Sequence, residues 1–218
     1  QQVFARLGAF ARPGAVLATN TSTLDVDAIA TASGRVDDVV GMHFFSPAHV
    51  MRLVEIVRGR ETSRATLATA LAVTRRIGKI GVTVGNCFGF VGNRMLYAYG
   101  REKELMLLEG ATPEQIDKAL QDFGMAMGPN AVGDLAGLDI GWQVRREWSG
   151  RPDDPRFYCV SDRLAELGRF GQKTGRGFYR YDGASGERAA DPEVLELIRA
   201  EAARLSVAQR EIDDREIV

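Results

Sequence analysis

His43 is one of only two histidines in the 218-residue chain. It lies near the end of an apolar, strand-like run, Val39-Val40-Gly41-Met42-His43-Phe44, just before Phe45-Ser46-Pro47. Open α/β sheets present reactive groups at strand ends. Twelve residues on, Glu55 interrupts a second apolar run, Leu53-Val54-Glu55-Ile56-Val57, where a carboxylate must face solvent or find a partner, because burying it alone is costly. Two neighbouring strands joined by a short loop bring such residues side by side. A carboxylate bonded to one imidazole nitrogen fixes the tautomer, stabilises the imidazolium and leaves the other nitrogen as general base. The same residues also fit a core histidine and the outward position of an edge strand, and taken alone they leave both readings open. Ser22, after another strand, reads equally as a turn or helix-cap residue. Asn93 follows Gly89-Phe90-Val91-Gly92 at a helix start; the glycines permit close approach of a backbone or ligand, or plain helix packing.

The elements that must carry these residues change character along the chain. An opening helix is followed by the turn Arg12-Pro13-Gly14 and a buried strand at 15–19. Residues 24–32 have helical character with Thr23 as cap, and the runs around His43 and Glu55 supply further strands. Apolar residues then recur at helical spacing from Ser63 towards Gly78, ahead of a strand at Ile80–Val84. From Asn86 to about 170 the pattern is mainly helical. One long helix stops at Gly110, and a second starts at Thr112-Pro113-Glu114-Gln115 with a capping box. A single stretch from Ala131 to Trp148 follows, and then a shorter helix. Residues 171–182, Gly-Gln-Lys-Thr-Gly-Arg-Gly-Phe-Tyr-Arg-Tyr-Asp, read as a solvated hairpin. Lys173 there lacks the order of a phosphate-binding loop, so phosphate contact is the lesser option. The division expected is α/β over 1–85, helical over 86–182, then a linker and a further helical start over 183–218.

Bulk properties exclude several classes. The chain has 28 basic and 29 acidic residues, giving a net charge of −1, and no electrostatic reason to seek nucleic acid or an anionic membrane. Two distant cysteines without a CxxC spacing argue against a disulfide framework or a metal site. No apolar run approaches the roughly 20 residues that span a bilayer. No G-x-G-x-x-G opens a strand–helix unit, so a dinucleotide fingerprint is missing.

In order, Asn20-Thr21-Ser22-Thr23-Leu24, His43-Phe44-Phe45-Ser46-Pro47, Leu53-Val54-Glu55 and Asn86-Cys87-Phe88-Gly89-Phe90-Val91-Gly92-Asn93-Arg94 resemble the 3-hydroxyacyl-CoA dehydrogenases. Met127-Gly128-Pro129, Asp134-Leu135-Ala136-Gly137-Leu138-Asp139 and the loop at 168–182 extend the resemblance over residues 1–182. Ser46 and the wording around Cys87 are similar to the multifunctional β-oxidation enzymes, of the peroxisomal bifunctional type and their bacterial counterparts. The residues from Ser206 resemble the start of a second helical domain in such chains.

The resemblance implies a truncated Rossmann-like dinucleotide-binding domain followed by an all-α domain. It implies NAD as cofactor, an acyl-CoA thioester as substrate, and oxidation of 3-hydroxyacyl-CoA to 3-ketoacyl-CoA. His43 would be the base, Glu55 its orienting partner, Ser22 a donor to the substrate oxygen, and Asn93 a clamp on its reacting end. Asn20 would stand on the cofactor rim. With the glycine loop absent, the expectation is a fragment that binds NAD poorly and turns over poorly alone. It would pair an open sheet edge by oligomerising or through neighbouring domains. A bacterial cytoplasm is the expected setting, with the peroxisomal matrix as alternative. The rival readings are a non-catalytic helical dimerisation module and a dehydrogenase of small 3-hydroxy acids. The latter places a lysine where this chain has Asn93.

Overall fold

A computed structural model describes all 218 residues, which form two compact units, Gln1–Leu96 and Tyr97–Val218. In the first, helix α1 (Gln2–Phe10) leads to strand β1 (Leu17–Thr19), helix α2 (Val26–Ser33) and strand β2 (Val39–Phe44). Strand β3 (Leu53–Arg58), helix α3 (Arg64–Arg76) and strand β4 (Ile80–Gly85) come next, and α4 (Gly92–Glu109) begins at the end of this unit. The sheet runs in the order β1-β2-β3-β4. Its outer pairs are parallel and its central β2–β3 pair is antiparallel.

Strands β2 and β3 are buried on both faces, which explains their continuous apolar runs. Alternation sends Val39 and Val57 to the face covered by Val26, Ile29 and Ala30 of α2 and by Phe90. Val40, Met42, Val54 and Ile56 go to the other face, against Ala70 of α3. By the same alternation His43 and Glu55 point towards the α2 and Phe90 face. Helix α2 is capped by Asp25, whose carboxylate accepts from the Asp27 and Ala28 amides, and not by Thr23 as the sequence suggested. Thr21 Oγ1 takes the Thr23 and Leu24 amides into a turn instead, moving the helix start two residues on.

The second unit holds the rest of α4 with α5 (Pro113–Phe123), α6 (Pro129–Ala136), α7 (Leu138–Glu147) and α8 (Cys159–Glu166). A hairpin of β5 (Tyr179–Tyr181) and β6 (Arg188–Ala190) and the helices α9 (Pro192–Arg204) and α10 (Asp214–Ile217) complete it. Several expectations change here. The stretch 131–148 is two helices broken at Gly137, whose φ of 97° lies in the region that favours glycine. Thr112 caps α5, but Gln115 does not close the box; its amide donates to the Ile212 carbonyl and Asp214. The expected linker after residue 182 contains β6. Residues 183–218 send Val194, Ile198, Ala202, Ile212 and Ile217 into the same core as Leu107, Leu164 and Phe178. The hairpin at 171–182 is not simply solvated. Phe178 and Tyr179 are buried, their amides donate to the buried Asp134 carboxylate, and Lys173 pairs with Asp139 at 2.7 Å.

Two helix starts in the second unit are held by carboxylates borne on other elements. Asp117 accepts from the Asn130 and Ala131 amides at the start of α6. Glu104 accepts from the Val160 and Ser161 amides at the start of α8. The unpaired N–H groups of a helix start carry positive charge that favours such partners.

Candidate active site

The antiparallel register places His43 directly opposite Glu55. The side chains meet, with His43 Nδ1 2.7 Å from Glu55 Oε2. Both are buried, at 6% and 2% exposure. The other carboxylate oxygen, Oε1, accepts the backbone N–H of Val91 at 3.0 Å and of Gly92 at 2.9 Å. A carboxylate holding those two donors only accepts, which assigns the imidazole proton to Nδ1. Nε2, the nitrogen suited to take a proton, makes no hydrogen bond within the protein. The imidazole packs against two tilted aromatic rings, with centroids 4.6 Å from Phe45 and 5.6 Å from Phe90.

The turn before α4 makes this possible. Gly89 and Phe90 both have positive φ, 71° and 47°, a conformation costly for a side-chain-bearing residue. The fully buried Phe90 ring compensates by filling the α2 face of the sheet. That turn delivers the next two amides, at the start of α4, to Glu55. Upstream, Asn86 ties the turn to α2, accepting from the Val26 amide and donating to Asp25 and Asp27. The Asn86 bond is the largest influence holding the Asp25 carboxyl below its ordinary range, burial opposing it and the Asp27 and Ala28 amides adding to it.

None of the other sequence-derived candidates bonds to this pair. Asn20 comes directly after β1, and its Oδ1 accepts the Phe44 amide at 2.9 Å. Its carboxamide NH₂ has no protein partner, so it can donate to a ligand where two parallel strands end, which is where doubly wound sheets bind theirs. The half-buried Ser22 hydroxyl and the half-buried Asn93 amide, in the first turn of α4, likewise make no hydrogen bond within the protein. His43 and Glu55 are thus brought together, Asn20 is tied to β2 through Phe44, and Asn93 is next in the chain to the Gly92 amide on Glu55. Sequence reasoning missed the Val91 and Gly92 amides, the Asn86 brace and the rings of Phe45 and Phe90. Two glycines bracketing Phe90 and Val91 were the available signal.

These residues fit the reacting end of a dinucleotide, with a free carboxamide just after β1 and an unpaired imidazole nitrogen on the adjacent β2. The glycine-rich strand–helix turn that cradles a pyrophosphate is not among the 218 residues.

Comparison with known proteins agrees. The 3-hydroxyacyl-CoA dehydrogenase NAD-binding domain model matches residues 1–87, and the C-terminal domain model of that family matches residues 89–181. The peroxisomal bifunctional enzyme of Danio rerio is 49% identical over all of this chain and 32% of its own length. The fatty acid oxidation complex subunit alpha of Pseudomonas entomophila is 36% identical over all of this chain and 31% of its own length. The chain therefore spans about a third of the curated relatives it matches. Among solved structures, the dehydrogenase part of multifunctional enzyme 1 from C. elegans covers 99% of this chain and 49% of its own, with a TM-score of 0.65 and 36% identity. An (S)-3-hydroxybutyryl-CoA dehydrogenase from Ralstonia eutropha gives a TM-score of 0.74 at 34% identity, over 83% of this chain and 65% of that one. With both domain models matched in order and relatives of this kind along its whole length, the chain belongs to the 3-hydroxyacyl-CoA dehydrogenase family.

Proposed function

We propose that this chain carries the reacting half of an NAD-dependent 3-hydroxyacyl-CoA dehydrogenase of fatty acid oxidation, with His43 as general base. The observation that carries the reading is the buried Glu55–His43 bond, which leaves Nε2 unpaired. The 3-hydroxyl proton of the acyl-CoA passes to Nε2. The Glu55 carboxylate, already bonded to Nδ1, offsets the charge that the imidazole gains. NAD, when bound, would supply hydride-acceptor chemistry at C3, so that loss of the hydroxyl proton and of the C3 hydride together gives the 3-ketoacyl-CoA. Ser22 donates to the substrate oxygen, Asn93 holds the reacting end of the substrate, and Asn20 presents its NH₂ at the cofactor rim. The rings of Phe45 and Phe90 keep the imidazole out of bulk water, which strengthens its bond to Glu55.

Residues 1–85 act as the closing part of the NAD-binding domain, and the helical residues from 86 onward serve substrate binding and self-association. Neighbouring domains or a second copy cover the remaining sheet edge. The setting is a bacterial cytoplasm, with a peroxisomal matrix as the alternative; the relatives include both bacterial and peroxisomal proteins. No helix is long and apolar enough to cross a membrane.

The test is NADH oxidation with acetoacetyl-CoA by this chain and by a form extended upstream by about one hundred residues, a length typical of the larger part of such a domain. Activity in the extended form supports the proposal. An extended form that binds NADH but never turns over overturns it.

A further inference from the structure

We propose that Gly92 is a positioning residue for His43, because an empty side-chain position there lets one carboxylate hold both the imidazole and the helix that carries Asn93. This rests on the reading of His43 and Glu55 as the reacting pair. Gly92 is the first residue of α4 and has no positive φ, so its backbone does not need glycine. The space does. A Cβ at position 92 would lie 2.8 Å from Phe45 Cζ, 3.1 Å from Phe45 Cε1 and 3.7 Å from Glu55 Oε1.

The contacts form a closed ring. Gly92 seats Phe45, Phe45 packs on His43, His43 bonds Glu55, and Glu55 accepts the Gly92 amide. At 2.8 Å from Phe45 Cζ, an added methyl forces a shift at one of two places in this ring. Either the Phe45 ring leaves the imidazole, or the start of α4 backs away from the carboxylate. Asn93 is the next residue along, so the second movement shifts it as well. Phe45, two residues after the histidine, and the glycine ahead of the asparagine are thereby two halves of one contact.

The sign of the effect makes the proposal testable. At an ordinary helical position, alanine is the better residue and glycine-to-alanine substitution stabilises. Here Gly92→Ala in the full chain should speed hydrogen exchange of the amides at 91 and 92 roughly tenfold or more, the factor expected when a bond to a charged acceptor weakens. Nitrogen-15 NMR should show the His43 Nδ1–H signal moved or broadened. Adding Phe45→Leu removes the ring atoms that meet the new methyl, so the double variant should recover the amide protection. Slower exchange in Gly92→Ala overturns the proposal, as does unchanged exchange together with an unmoved His43 Nδ1–H signal; where exchange does speed up, a double variant no better protected than the single one overturns it too. Steady-state turnover separates this from the underlying reading. If His43→Ala keeps full turnover while the exchange results hold, the geometric claim stands and the catalytic reading falls.

Discussion

Replacing Glu55 by glutamine keeps the shape of the side chain and removes its charge, and the hydrogen bonds around it fix the consequence. The glutamine carbonyl can still accept the Val91 and Gly92 amides that Oε1 now holds. Its NH₂ group then faces His43 Nδ1 and can only donate. The neutral imidazole must move its proton to Nε2, the position that has to be free to act as base. Three bonds to a charged acceptor weaken or reorganise. The expected loss of stability is about 2 kcal/mol, since bonds to charged groups are worth roughly 1.5–3 kcal/mol and neutral ones about 1. For a chain of this size that corresponds to about 4–8 °C in Tm. Catalysis suffers far more. A wrong-tautomer histidine in the serine-protease triad costs about 10⁴ in kcat, and a loss of that order is expected here. Glu55→Ala would instead leave the buried His43 donor and the part-buried Val91 and Gly92 amides unpaired and cost about 3–5 kcal/mol. The assay pairs NADH oxidation with nitrogen-15 NMR of the imidazole. Glu55→Gln turnover within tenfold of the parent, or a ring proton still on Nδ1, would refute the reasoning.

Three further outcomes are expected. Glu104→Ala should lower the stability of the helical unit by about 3–5 kcal/mol, read by thermal melting, because it strands the buried Lys103 and the first amides of α8; a loss below about 1 kcal/mol would contradict this. Burial pushes the Glu104 carboxyl up, but the Lys103 ammonium and the Ser161 hydroxyl outweigh it and hold it below its ordinary value. A depressed folded-state value gives stability that is complete above the unfolded pKa of about 4.5 and is lost as pH falls through the folded one. Acid melts should therefore show a stability loss beginning below about pH 4.5 that Glu104→Gln flattens, and an unchanged profile would exclude this group as its source. Lys173→Met should change stability by no more than about 1 kcal/mol, as for an exposed ion pair, and leave the KM for acyl-CoA intact; a tenfold rise in KM would restore the phosphate-contact reading.

The parts of the site legible in the sequence were those carried by pattern. A histidine near the end of one buried strand and a glutamate in the next give the pair, once β2 and β3 are taken as neighbours. The second half of the Glu55 contact was not legible. Its partners are main-chain amides more than thirty positions downstream, presented by a turn in which Phe90 adopts a positive φ only because its ring is fully buried. The same reason explains the misplaced cap of α2. Thr23 and Asp25 are both competent caps, and Asn86, from across the fold, braces Asp25. The helix break at Gly137 and the inclusion of residues 183–218 in the helical core likewise depend on packing partners distant in sequence, such as Asp139 with Lys173 and Gln115 with Ile212. Local periodicity found the helices. It could not say which carboxylate would reach across to start the next one.

The proposed chemistry turns on His43, and the most direct measurement is kcat for NADH oxidation with acetoacetyl-CoA in an active, upstream-extended form, with and without His43→Ala. Removing the base should lower kcat by about 10²–10⁴ while the fold, tracked through the protection of the Val91 and Gly92 amides, largely survives. An alanine variant that keeps turnover within a few-fold of the parent would contradict this role and leave Glu55 as a helix cap alone.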